Sequence, residues 1–322
     1  MSKKTKAWLI AAAALILIGS IIFGGVMAML NWDLRRLSTV KDETNEHSTD
    51  GASRDIVVLT KTADVSFLPT DGNETRVVCY EQKNVRHSVT VKSGALTVEV
   101  VDTRQWYQHI GINFDTAKIT VYIPKGEYRA LSVKSNTGDV TVPKELQFES
   151  IEISNDTGDV SCFASASHEV RIKTATGNIR VEGIDAGTLE LSATTGRIDA
   201  SQVSCSGDVK IDVSTGSTFL SGVTCERFSS GGSTGYIFLR DVIASDSLSV
   251  ERDTGGVEFD GCDAASIYVS TSTGSVWGNL LSDKIFAAHT STGRINVPTS
   301  APGSGKCEIH TSTGNIDISI KK

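Results

Sequence analysis

The sequence predicts an all-β protein: a β-solenoid, or β-helix, of about ten 19–20-residue coils with Thr-Gly turns, preceded by an N-terminal transmembrane helix. Three observations carry this. The dipeptide Thr-Gly recurs ten times, with its glycine at Gly138, Gly158, Gly177, Gly196, Gly216, Gly235, Gly255, Gly274, Gly293 and Gly314; successive spacings are 20, 19, 19, 20, 19, 20, 19, 19 and 21. Aligned on that glycine, apolar residues fall into columns seven and five positions before it and two after it. The last column is Val or Ile in nine of ten copies, Thr218 being the exception. Alternation of period two on both sides of a glycine reads as strand, turn, strand. Finally, each repeat is too short to enclose its own apolar face, whereas stacked repeats align their columns into one core with rungs about 4.8 Å apart. A leucine-rich repeat has a similar period, but its L-x-x-L-x-L pattern is absent and nothing here reads as helix.

The elements follow in order. Residues 1–30 open with Lys3, Lys4 and Lys6 and continue as an uncharged run, 7–30, with Trp8 and Trp32 at its two ends. About 24 apolar residues are enough to cross a bilayer, and indoles favour the interface. The expectation is a single-pass anchor in the cell membrane with the solenoid outside. A cleaved signal peptide, with Val26-Met27-Ala28 as the cleavage site, is the alternative. Residues 31–54 are polar without periodicity and read as a linker. Residues 55–130 read as degenerate coils and a cap. In "DIVVLTKTADVSFLP", Ala63 stands where a turn glycine would be. Residues 131–322 are the regular repeats, and Lys321 and Lys322 at the end could blunt an exposed edge.

Composition agrees with a chain of turns and short strands, since five prolines accompany twenty-nine glycines. A net charge of −7 argues against a nucleic-acid partner, which needs a basic footprint. The corner glycine has a local rationale: the third position of a type II turn requires a positive φ.

"TADVSFLP", "KITVYIPKGEY" and the serial S-T-G-x-[VI] coils resemble the bacterial family of candidate adhesins catalogued as Domain of Unknown Function 4097, over residues 55–322. The resemblance implies a cell-envelope β-solenoid, with relatives near envelope-stress genes, and no established activity. The aspartate that often follows the glycine in that family stands here only at Asp139 and Asp159, so no acidic ladder carries over.

Candidate chemistry is sparse. Asp156 with Asp159, or Asp253 with Glu258, are the carboxylate pairs a polysaccharide-cleaving β-helix would need, yet they occupy ordinary turn and outward positions. Cys162 and Cys307 fall in core columns. Cys205 and Cys225 both stand nine after their glycines on adjacent coils, close enough for a disulfide or for two thiols. Cys79 and Cys262 show no partner, and there is no C-x-x-C or metal-ligand spacing. His289 and His310 share an outward column, while His87 belongs to no constellation. Thr271 and Thr273, Thr290 and Thr292, Thr311 and Thr313 form short T-x-T rows, read as a corner ladder or, less readily, as a flat water-ordering array. No catalysis and no cofactor are expected. The reading is a structural or binding module whose partner is cell-wall glycan or another envelope protein. Envelope-stress signalling and a polysaccharide-active enzyme are the rivals.

Overall fold

The computed structural model describes residues 2–33, 42–49, 53–104, 116–301 and 305–321. Helix Lys3–Met29 opens the chain, with the Ser2 hydroxyl accepting the Thr5 N–H at 3.2 Å as its N-cap. At 1.5 Å per residue it is about 40 Å long, enough to cross a membrane. The rest is a β-solenoid of about nine turns, and strands make up 71% of the structure.

Each regular coil has two walls that meet at the Thr-Gly corner. The columns before the glycine form the first wall: Leu131 pairs with Ile151, Ile151 with Val170 and Val170 with Leu189, all in parallel register. The column after it forms the second, where Val140, Val160, Ile179 and Ile198 pair in succession. These residues are buried and belong to one continuous core. Identical columns are therefore stacked at the spacing of a parallel ladder, so apolar burial is repeated along the axis and every coil closes its neighbour.

The corner glycines are required by this stacking. Nine of the ten have φ between +131° and +157°, and Gly274 is the one outside that set. This is not the type II geometry expected from the sequence, where φ is near +80°. A Cβ on Gly196 would lie 1.9 Å from the Gly177 carbonyl oxygen, and one on Gly216 would lie 1.7 Å from that of Gly196. The glycine column is a close backbone stack that leaves no room for a side chain. It begins at Ala63, whose carbonyl underlies Gly138.

A second corner lies six residues after the first and was not anticipated. Gly183, Gln202, Gly222, Asp241 and Gly261 all take φ between +48° and +69° there. Beyond it the short inward row Ile184, Val203, Val223, Val242 and Cys262 makes a third side of the core. The sequence signal was Gly183, Gly222 and Gly261, recurring every second coil. Left-handed backbone costs an L-residue roughly 1–2 kcal/mol. Gln202→Gly is therefore expected to raise stability by about 1 kcal/mol, read as a higher denaturation midpoint.

The T-x-T rows also divide. Thr271 and Thr311 are buried, and the hydroxyls of Thr271, Thr290 and Thr311 donate to the carbonyls of Gly255, Gly314 and Gly274 at 3.3, 2.9 and 3.0 Å. Asn155 and Thr174 do the same to Gly138 and Gly158. The first threonine of each pair thus points inward and satisfies the glycine carbonyl, while the second, such as Thr273, points out. A flat array with both threonines on one face is not formed.

The last two coils stack out of chain order. Strand Val257–Thr273 pairs with Gly305–Thr313, and Lys284–Thr292 lies on the far side of that strand. On the second wall Val276–Leu280 pairs with Ile316–Ile320, and Ile295–Asn296 lies beyond it. The chain skips one rung and returns to fill it. The inserted coil carries Cys307, Ile309, Ile316 and Ile318, all buried, whereas Ile285 and Ile295 of the terminal coil are exposed. The inner rung is covered on both sides, so its apolar columns lose more contact with water than those of the terminal coil. The Ser300 hydroxyl accepts the Phe286 N–H at 2.9 Å, so the returning segment covers part of the open edge. Lys321 does not blunt that edge: it lies 3.6 Å from Asp260, two coils inward of the inserted rung. Lys322 is outside the described residues.

At the other end, strand Asp55–Leu59 forms the first rung under Gly126–Thr137, and Ala95–Asp102 and Ala117–Pro124 form a rung beneath it. Antiparallel strands then close the stack: Val85–Lys92 on one wall, Thr75–Gln82 on the other. Asp42–Thr49, inside the segment read as linker, pairs antiparallel with Thr75–Gln82 along its whole length. Its side chains are polar on both faces, so no periodicity betrayed it; backbone pairing carries the strand.

Candidate functional site

The two outer walls have the same backbone geometry and different chemistry. On the first wall, outward positions form ion pairs between coils: Arg171 to Glu190 at 2.9 Å, Lys173 to Glu190 at 3.7 Å and Arg227 to Asp208 at 2.9 Å. Such exposed pairs contribute little and mark a solvated face. The second wall has ion pairs too, Arg197 to Asp199 at 2.6 Å and Arg240 to Asp260 at 3.0 Å, and in addition gathers aromatic rings. Phe219 and Phe238, each three residues after its glycine, lie 6.3 Å apart on adjacent coils. Tyr236 is 6.3 Å from Phe219 and 5.7 Å from Trp277. The Trp277 ring passes over Gly256, where a Cβ would come within 2.7 Å of it. The Arg197 guanidinium lies 3.9 Å above the Phe219 ring and Arg240 4.9 Å from that of Phe238. Together with Arg180, Ser201 and Ser221, Phe219 and Phe238 line a shallow depression of about 350 Å³. The rings are half-buried, and Arg197 and Arg240 are about half exposed. Alternating rings and guanidinium groups across several rungs can stack on flat apolar faces and donate hydrogen bonds beside them.

A larger open groove of about 560 Å³ lies on the third side. Its floor is small, with Ser165, Ala166, Ala186 and Ser204, and Tyr128 and Phe148 close one end with rings 5.6 Å apart. The Tyr128 hydroxyl donates to the Pro124 carbonyl, so these two rings serve packing more than contact with solvent.

Three of the four carboxylates weighed for catalysis are engaged between coils, and the fourth, Asp253, is exposed. Asp156 accepts from Asn136 at 2.9 Å, Asp159 accepts the Asn178 N–H at 2.7 Å, and Glu258 accepts from the Tyr236 hydroxyl. Asp64, Asp139, Asp159 and Asn178 in fact form a ladder, each accepting the N–H of the residue after the glycine one coil on. It is a backbone-satisfying ladder in which asparagine serves as well as aspartate. His289 and His310 lie side by side with ring centres 6.3 Å apart, and His310 bonds Glu308 at 2.6 Å. All six cysteines are buried thiols. Cys205 and Cys225 occupy adjacent rungs, Cys205 donating to the Gly187 carbonyl at 3.1 Å. Burial pushes the Cys225 thiol up to about 12, with Cys205 and Asp208 adding to the shift.

His87, given no constellation from the sequence, has one. Its Nδ1 and its backbone N–H both lie 2.7 Å from Glu81 Oε2, and its Nε2 is 3.0 Å from the Thr60 hydroxyl. Asn45 donates to Glu81 Oε1 at 2.8 Å. Burial alone would raise the Glu81 carboxyl, but the bonds from His87 and Asn45 outweigh it and hold it below the usual range. Cys79, two residues before Glu81 on the same inward face, completes the group. No spacing rule finds it, because the four strands and links that build it come together only in the closed cap.

Fold and surface together define a parallel β-solenoid with an N-terminal apolar helix and no assembled catalytic constellation among the described residues. The chain belongs to the Toastrack DUF4097 family, whose family model matches residues 53–322. A candidate adhesin from Parabacteroides distasonis superposes with a TM-score of 0.51 at 13% identity, covering 75% of this chain and 98% of its own. A candidate lipid-binding protein from the same species and a candidate adhesin from Parabacteroides merdae give TM-scores of 0.49 at 15% and 13% identity. They cover 75% and 76% of this chain and 98% of their own. None of these neighbours is described as an enzyme. No curated protein sequence matches the chain.

Proposed function

We propose that the protein is a non-catalytic binding module of the cell envelope, held to the membrane by helix Lys3–Met29 with its solenoid outside, that grips an extended glycan along its second wall. The observation that carries this is the row Arg197, Phe219, Phe238, Tyr236 and Trp277. A pyranose ring presents an apolar face that stacks on an aromatic ring and hydroxyls that accept from arginine. One rung advances about 4.8 Å, close to the length of one sugar residue, so successive rungs match successive sugars. The first wall carries mostly paired charges, and its rings, Tyr268, His310 and His289, form a shorter row at the far end with no arginine over them among the described residues. Full-length protein in detergent is expected to sediment with insoluble cell-wall material without releasing soluble sugar. Phe219→Ala combined with Trp277→Ala should weaken that binding at least about tenfold, because each lost stack is worth roughly 1 kcal/mol or more. Unchanged sedimentation by a folded double variant would sink the reading, as would release of product from the polysaccharide. Protease shaving of intact cells tests the outward side: a protected solenoid would overturn it.

A further inference from the structure

We infer that Cys79, Glu81 and His87 form a binding site for a zinc-type divalent metal ion that locks the N-terminal cap of the solenoid. Among the described residues this is the one group of three thiol, imidazole and carboxylate donors gathered tightly enough, with its ligand atoms within 4.8 Å of one another. All three residues are buried: Cys79 is 0%, Glu81 1% and His87 5% exposed. One sulfur, one nitrogen and one carboxylate oxygen make a mixed donor set suited to zinc and its neighbours in the first transition row, and poorly suited to magnesium or calcium.

The surroundings orient these donors as the outer shell of a metal site does. A ligating imidazole needs its second nitrogen held, and Thr60 holds His87 Nε2 at 3.0 Å while Nδ1 faces Glu81. The far carboxylate oxygen of Glu81 is held by Asn45 at 2.8 Å. A small cavity of about 30 Å³, lined by Thr60, Gln82, His87 and Arg104, adjoins the imidazole on its Thr60 side. The four contributing segments are the last antiparallel layer (Asp42–Thr49, Thr75–Gln82, Val85–Lys92) and the link after Asp55–Leu59. An ion there would tie that layer to the first parallel rung. Binding displaces the thiol proton of Cys79 to solvent and leaves the thiolate as ligand; the proton that His87 Nδ1 shares with Glu81 moves to Nε2, where the Thr60 hydroxyl accepts it, so that Nδ1 is free to ligate. Among the described residues no other buried cysteine has both an imidazole and a carboxylate within reach.

The test uses the full chain in detergent, stripped with a chelator, with its thiols reduced. Titration with Co²⁺ should give a near-ultraviolet thiolate-to-cobalt charge-transfer band that saturates at one equivalent and is displaced by Zn²⁺. Cys79→Ser should abolish the band and weaken zinc at least about 100-fold; Thr60→Val should weaken it about tenfold through loss of imidazole orientation. Zinc-edge X-ray absorption on the unaltered chain should show one sulfur near 2.3 Å among nitrogen and oxygen neighbours, which keeps the test decisive if a variant fails to fold. Absence of the band, its persistence in Cys79→Ser, or a zinc shell without sulfur would each overturn the site and leave a Glu–His pair that only staples the cap.

Discussion

Gly216→Ala is expected to destabilise the solenoid by roughly 4 kcal/mol or more, far beyond the usual cost of adding a methyl group. Gly216 has φ +144°, and an added Cβ would sit 1.7 Å from the Gly196 carbonyl oxygen. Relief requires either a different backbone at the corner or a wider rung. A wider rung would break pairing on both walls at once, since Leu189–Val209 and Ile198–Thr218 are neighbours on the same coils. Strain at a glycine-only conformation and a backbone collision therefore add. Ala63 supplies the contrast: it starts the same column without a positive φ and carries its Cβ in place. Ala63→Gly should cost no more than about 1 kcal/mol. Chemical denaturation of the two variants checks both values. Hydrogen exchange should place the loss of protection in the coils around Gly216, because coils interact only with their neighbours.

Arg252→Ala is expected to cost about 3 kcal/mol, an unusual result for an arginine, most of which sit on surfaces where truncation is cheap. Arg252 is 4% exposed. Its guanidinium reaches across one whole coil to donate to the Val213 carbonyl at 2.7 Å and to the Thr218 hydroxyl at 3.3 Å. It passes through the space left at Gly232, where a Cβ would meet the guanidinium at 1.9 Å. Burial draws its pKa down, and nearby Asp212 partly opposes this. Truncation leaves a cavity, an orphaned carbonyl and an orphaned hydroxyl inside the core. Gly232→Ala should be similarly damaging, because the same passage is blocked. Thermal unfolding of both variants is the measurement; a midpoint unchanged by Arg252→Ala would refute the account.

This plug also explains the departures from the repeat. Thr218 is the one non-aliphatic residue in its column, and Ser230, Gly232 and Arg252 break theirs within two coils. Taken singly they look like fading of the pattern. In the fold Thr218, Gly232 and Arg252 are parts of one buried contact, and Ser230 lies in the coil it crosses. The second corner was half visible, through glycines spaced by 39, but Gln202 and Asp241 hid it because neither residue type announces a left-handed backbone. The aromatic strip was concealed for a different reason: Phe219, Tyr236, Phe238 and Trp277 stand at outward offsets where no column asks for apolarity, so only their stacking reveals them as one surface.

Taken by itself, the sequence determined the solenoid, its period, the glycine column, the start of that column at Ala63 and the apolar N-terminal helix. Each of these is written locally and, within the solenoid, repeated ten times, so that every coil independently restates the same strand–corner–strand pattern. The tertiary structure alone decided the exchanged order of the last two coils, the Cys79–Glu81–His87 group and the Arg252 plug. These are single events joining residues far apart in the chain: 27 positions separate Thr60 from His87, 37 separate Gly274 from Thr311, and 39 separate Val213 from Arg252. A period cannot encode them, because which rung fills which place, and which polar groups meet inside the core, is settled by burial and hydrogen-bond satisfaction once the stack has closed.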